Sequence, residues 1–382
     1  MKRRMFVLFS LISLIACSKH STLKLEVENS STVDREDEIV EIAWNTVKEK
    51  LLLTQDFSLV VLDESGKQLP YQLVYNGASA PQLLIFPATV KSGSKSAYTI
   101  KEGDQKIFPS RTFGRQIPER KDDFAWENDR VVFRMYGPAL VDEYPSNGVD
   151  MWLKKTDNLI IDKFYKGDLE NHQSYHVDHG EGLDCYKVGH TLGAGGIAPY
   201  FRDTLWVGNQ YDTYKVLENG PLRTCFELTY NRIPVGENSL KQTVTITLDA
   251  YTQMNKAVVT CEGEIAPIQL AGGIYLHDVP GDIRVDKAAA YIAYAEDATS
   301  DAGVPAGRNY VGMIFPAGLQ DIRQDTVHIL GLSAYQTGTS FTYYFGGGWN
   351  QWGFETDEDW FQYMAAYAEN LKNPLTVTVP EQ

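Results

Sequence analysis

Apolar and polar residues alternate with period two along most of the chain, the spacing of strands that bury one face. L-K-L-E-V-E from Leu23 is the first such run, and E-I-V-E-I-A-W, S-L-V-V-L and Q-L-L-I-F-P follow it. Turn residues such as Asp63-Glu64-Ser65-Gly66 separate them. Residues 23–106 are therefore expected to form a small N-terminal β-sandwich with few residues fit for chemistry. Residues 107–123 are polar, contain Pro109 and Pro118, and read as a linker. From residue 124 to 382 the runs lengthen: L-R-T-C-F-E-L-T-Y, L-K-Q-T-V-T-I-T-L-D-A-Y and K-A-V-V-T-C-E-G-E, then four more ending in S-F-T-Y-Y-F-G-G-G-W. Consecutive strands without helical spacers predict a mainly β fold built on a large antiparallel β-sandwich, not α/β. One short C-terminal helix is expected. Thr356 and Asp359 have capping-box spacing, Trp360, Met364, Tyr367 and Leu371 make a helical stripe, and Asn373-Pro374 stops it.

The N-terminus departs from this pattern. Lys2, Arg3 and Arg4 precede an apolar run too short to span a bilayer, which ends in Leu-Ile-Ala-Cys at Cys17. The ending resembles a bacterial lipobox. It implies a signal peptide over residues 1–16, a lipidated Cys17, and a short tether over residues 17–22. The expectation is an exported lipoprotein held by its lipid at the periplasmic face of the outer membrane or at the cell surface. Cleavage there removes three positive charges and no negative ones, taking the formal charge from −15 to −18. Such acidity argues against nucleic acid as a partner. It also requires that any acidic substrate be met by a local basic cluster. Cys185, Cys225 and Cys261 contain no C-x-x-C pair and read as buried small residues.

Candidate chemistry concentrates between Asn171 and Gly196, where His172, His176, His179 and His190 are interleaved with Asp178, Glu181, Asp184, Tyr186, Lys187 and six glycines. Imidazoles exchange protons near neutral pH, and adjacent carboxylates orient them. The spacing suggests two short strands joined at Gly180-Glu181-Gly182, with His176, Glu181, Asp184 and Tyr186 brought together. Upstream, W-E-N-D-R-V-V-F-R-M-Y-G-P-A-L over residues 126–140 puts Arg130, Val132, Arg134 and Tyr136 on one strand face. An inward arginine is either a structural Arg–Asp pair or a clamp for an anion. Trp152, and Trp349 and Trp352 on the loop G-G-G-W-N-Q-W-G, are candidate platforms for sugar rings, or else core residues. A fifth histidine, His277, sits near a strand end and reads as structural. The chain contains no P-loop, dinucleotide fingerprint, H-E-x-x-H or G-x-S-x-G motif.

W-E-N-D-R-x-x-F-R-x-Y-G-P-A-L, G-V-D-x-W, Y-H-x-D-x-G-E-G-x-D-x-Y-x-V-G and the terminal G-G-G-W-N with its helix occur in order, and together resemble the DUF4861 family over about residues 23–380. The resemblance implies a galactose mutarotase-like β-sandwich from a polysaccharide-utilisation system of Bacteroidetes. Relatives include an oligosaccharide dehydratase acting on terminal uronic acids from ulvan. That implies a carbon–oxygen lyase forming an unsaturated uronic acid at the non-reducing end of an acidic oligosaccharide. On chemical grounds His176, with Tyr186 or His190, would move protons, and Arg134, Arg130 or Lys187 would neutralise the uronate. Asp178, Glu181 and Asp184 would orient the histidines; no cofactor is expected, although the same acids with His176 offer an alternative divalent-cation set. A mutarotase or glycosidase-like enzyme and a non-catalytic saccharide-binding lipoprotein are the competing expectations.

Overall fold

The computed structural model describes residues 22–53, 57–265 and 267–380. The predicted signal peptide, Cys17 and all of the tether but Thr22 lie outside the described residues. The chain is mainly β. A small sandwich packs the strands Thr22–Asn29, Ser94–Glu102 and Leu59–Leu62 against Arg35–Ala43, Leu83–Val90 and Gln72–Val74. Its core follows the alternation: Leu23, Leu25 and Val27 face inward, and Lys24 is exposed. The helix α1 (Trp44–Leu51) closes one end with Trp44, Val47 and Leu51. The sequence reading had kept Trp44 in the preceding strand.

The larger unit is a sandwich. Its eight-stranded antiparallel sheet runs in spatial order Thr213–Asn219, Arg223–Val235, Asn238–Asp249, Met254–Glu262, Ser340–Trp349, Pro305–Ile314, Tyr291–Thr299 and Gly281–Asp286. Two five-stranded sheets lie opposite. One is centred on Ala194–Phe201, Ile268–Tyr275 and His328–Tyr335, the other on Val149–Lys154, Val132–Met135 and Asp123–Asn128. Phe124, Phe133 and Met151 meet Phe226, Phe345 and Val311 in the shared core.

Three features depart from the sequence reading. The expected linker contains a strand, Thr112–Ile117, paired with Asp123–Asn128 and tied to Asn219 through both polar groups of Gly114 at 3.0 Å. The helix α2 (Ile161–Asn171) was not foreseen. It covers the outer face of the second five-stranded sheet with Ile161, Phe164 and Tyr165. The last strand, Thr376–Thr378, returns to pair with Thr22–Asn29 in the small sandwich. The C-terminal helix α3 (Asp357–Lys372) forms with the expected Thr356–Asp359 capping box. It lays Trp360 and Met364 on the outer face of the eight-stranded sheet.

Candidate active site

Residues 172–191, which follow α2, cross the sandwich as an irregular segment and not as two strands. Only Gly182–Leu183 is strand, paired with Leu153 and Lys154. Gly182 has φ +136°, and a Cβ there would lie 2.1 Å from the Leu153 carbonyl oxygen, so no other residue fits. Asp184, Cys185, Tyr186 and Val188 are buried, whereas Lys187 and His190 are exposed. His172 is the left-handed C-cap of α2, and His179 bonds the Ser174 carbonyl at 2.9 Å. Neither belongs to a shared site.

Beneath this segment lies a sealed ionic core. Arg134 is 2 % exposed, and its Nη2 reaches Asp150 at 2.5 Å and Asp184 at 2.8 Å. Asp123 stands at 3.9 Å, and the rings of Tyr136, Trp152 and Tyr175 pack around the guanidinium. Burial, together with the Asp150 charge, pushes the Asp184 carboxyl well above its usual range, and Arg134 works against that. The clamp assigned to Arg134 is thereby corrected: its partners are carboxylates of the chain, and α2 and Tyr175 close the face it shares with Val132. Arg130 is not on that face; it sits in the turn before the strand Val132–Met135. Trp152 is 0 % exposed and stacks on Tyr175, and Trp349 is 1 % exposed with its indole N–H on the Ala306 carbonyl, so neither offers a face to sugar. Trp352 is half-buried. Tyr186 is enclosed too. Burial and the Glu296 and Asp150 charges push its hydroxyl well above the ordinary phenol range, which removes it as a proton shuttle to solvent.

An open polar rim remains. His176 Nδ1 lies 2.9 Å from the Asp184 carbonyl oxygen, with the Asp184 and Asp301 carboxylates at 3.6 and 3.7 Å. A carbonyl only accepts, so Nδ1 carries the proton and the Nε2 lone pair is left free. Among the described residues Nε2 has no hydrogen-bond partner. Lys187 pairs with Asp301, and that ion pair holds the Asp301 carboxyl below its usual range. Both ring nitrogens of His277 are engaged, Nδ1 by the buried Glu296 and Nε2 by the Lys187 carbonyl, each at 2.7 Å. His277 is thus a strut that fixes the Lys187 backbone. His190 repeats the His176 pattern, with Nδ1 on the Pro145 carbonyl at 2.7 Å.

Asp178 and Glu181 do not orient the histidines. Lys155 and Lys163 respectively hold them in ion pairs. Burial alone would raise Asp178; the hydrogen bonds from Lys155 and the Gly180 N–H outweigh it and hold the carboxyl low. Among the described residues no three His, Cys, Asp or Glu side chains converge closely enough to hold a metal ion. Asp301, Glu296 and Lys155 were missed from sequence. Only Glu296 left a local trace there, a charge at an inward position of the apolar strand Tyr291–Thr299.

Comparison with known proteins gives, among others, four matches. The profile of Domain of unknown function (DUF4861) matches residues 27–377. Protein P7 of Formosa agariphila, itself described as uncharacterised, is 27 % identical over 377 residues, 93 % of each chain. Among solved structures, a glycosyl hydrolase family 38 protein of Enterococcus faecalis superposes with TM-score 0.50 at 11 % identity, over 94 % of this chain and 47 % of that one. An α-mannosidase of E. faecalis V583 follows with TM-score 0.45 at 9 % identity, over 94 % and 46 %. The chain thus spans about half the length of these solved chains. The first of these similarities shows the fold.

Proposed function

Taking as premise that this chain belongs to the DUF4861 family, we propose that it is a carbohydrate-processing enzyme that dehydrates the terminal uronate of acidic oligosaccharides. One observation carries the reading. A carbonyl fixes the tautomer of His176 and leaves a free Nε2 lone pair at an open rim beside Lys187.

Elimination across C4–C5 requires a base for the C5 proton, which is acidified by the adjacent carboxylate. His176 Nε2 takes that proton. Lys187 exchanges Asp301 for the uronate carboxylate and offsets the charge that builds there. The C4–O bond breaks as the C4=C5 bond forms, and the hydroxyl leaves as water after gaining a proton. Tyr186 is enclosed and His190 is open, so the donor role falls to the imidazolium form of His190. Its Nε2 proton goes to O4 and is restored from solvent as His176 releases the C5 proton. One proton leaves C5 and one leaves with O4, so no outside reactant is consumed. In this reading the enzyme works at the envelope, tethered by lipid on Cys17; a Cys17→Ser variant would then move to the soluble fraction.

The test is incubation with uronate-ended oligosaccharides while following absorbance at the ultraviolet edge and loss of one water by mass. His176→Ala is expected to lower turnover by about 10²–10⁴ with the fold intact by circular dichroism. Full activity in that variant would remove His176 from the mechanism. A shift in anomer ratio without absorbance would favour the mutarotase reading, and saturable binding without product a carrier.

A further inference from the structure

The strands that deliver residues to the His176 rim also have far ends. Ala194–Phe201, Ile268–Tyr275 and His328–Tyr335 begin or end near Gly193, His277 and His328, and run about 25 Å to the opposite edge of the sandwich. There a cavity of about 640 Å³ opens between Phe201, Arg202, Gln269, Gln320 and Gln336.

Its chemistry is selective. The hairpin between Ala194–Phe201 and Thr204–Leu205 turns on two residues, Arg202 and Asp203, with φ +52° and +57°. A two-residue turn with both φ values positive favours Asn-Gly, so this one holds a charged pair where small residues would be easier. Arg323 is used up: it contacts Asp203, Asp321 and the Tyr200 hydroxyl. Arg202 is not. Its guanidinium lies 5.0 Å from the centre of the Phe201 ring, and among the described residues it has no carboxylate partner. Gln269 donates to the Gln320 carbonyl oxygen at 2.7 Å, which leaves the Gln269 carbonyl oxygen and the Gln320 amide N–H groups for another molecule. The exposed Gln336 adds a second free amide.

We propose that this groove is a second saccharide-binding site, distinct from the His176 rim, which holds an acidic oligosaccharide by its carboxylates on Arg202 and its hydroxyls on the glutamine amides. A planar guanidinium stacked on an aromatic ring presents two parallel donors to a carboxylate. Paired amide donors and acceptors match adjacent hydroxyls. In a chain with formal charge −15, an unpaired arginine at a cavity mouth is a place where an anionic sugar is locally welcome. The choice of ligand class rests on the proposed function; the site itself does not need catalysis.

Trp206 supplies the readout, because its indole N–H donates to the Phe201 carbonyl at 3.1 Å. Titration of the full chain with tri-galacturonate is expected to shift the Trp206 indole N–H resonance, assigned by Trp206→Phe. Arg202→Ala should weaken binding roughly tenfold or more, as loss of a charge-assisted pair does. His176→Ala should leave this binding unchanged, and maltotriose should bind more weakly than tri-galacturonate. An unmoved indole signal, unaltered affinity in Arg202→Ala, or equal binding of maltotriose would each overturn the proposal. Groove binding in a protein that turns over no uronate would sustain this inference while the catalytic reading fell.

Discussion

His328 Nδ1 faces the Asp325 carboxylate at 3.3 Å and Nε2 accepts the Leu192 N–H at 3.1 Å, so burial and the Leu192 N–H favour the neutral ring while Asp325 opposes them. Burial lowers its pKa below the usual value of about 6.5, and Asp325 recovers part of that. The unfolded chain therefore binds the proton first as pH falls. The resulting stability is complete above about pH 6.5 and is lost as pH drops toward the lowered folded-state value. Chemical denaturation at several pH values should show that slope, and His328→Gln, whose amide can still donate and accept, should flatten it. His176 illustrates the other use of the same residue: one nitrogen fixed, the other open. The density of histidines between residues 171 and 196 was visible in the sequence. Which rings cap helices, which brace strands and which face solvent was not, because each depends on how an irregular backbone places a carbonyl, whether nearby as Asp184 for His176 or distant as Pro145 for His190.

The helix α2 explains why part of the site was illegible. It has no side-chain N-cap of its own and carries Gly167 in its interior. Its first N–H groups are satisfied from a distant strand: Glu127 accepts from Ile160 and Ile161 at 2.7–2.9 Å and also binds the buried Lys154 at 2.7 Å. Burial raises the Glu127 carboxyl, and Lys154 and those N–H groups oppose the rise. Local periodicity cannot report a cap thirty-odd residues upstream, so the helix was not foreseen. Glu127→Ala should destabilise the chain by about 3–5 kcal/mol in urea titrations, because it uncaps the helix and strands a buried ammonium. By contrast α3, capped by its own Thr356 and striped with its own aromatics, was legible from end to end. The same hidden helix is what encloses Arg134 and Trp152. Their residue types suggested a binding face, but the sheet face they occupy was already taken.

Across the whole molecule the alternating pattern was enough to anticipate two β-sandwiches, since every inward position repeats along many strands. It did not reveal that the first and last strands of the described residues are neighbours. Thr376–Thr378 pairs with Thr22–Asn29, with Thr378 opposite Glu26. Other ties join the two sandwiches. Arg223 reaches both Glu41 and Asp249, and Gln72 accepts from the Leu222 and Arg223 N–H groups. A chain ending at residue 374 should unfold at a lower denaturant midpoint and show greater amide exchange in Thr22–Asn29 than the full chain, measured by mass spectrometry. The pairing also sets a schedule. The strand Thr22–Asn29 must wait for Thr376–Thr378 to be synthesised before its outer edge is covered. Any release or pause before that strand leaves a bare template for pairing with another copy, so the small sandwich closes only after every strand of the large one has been made.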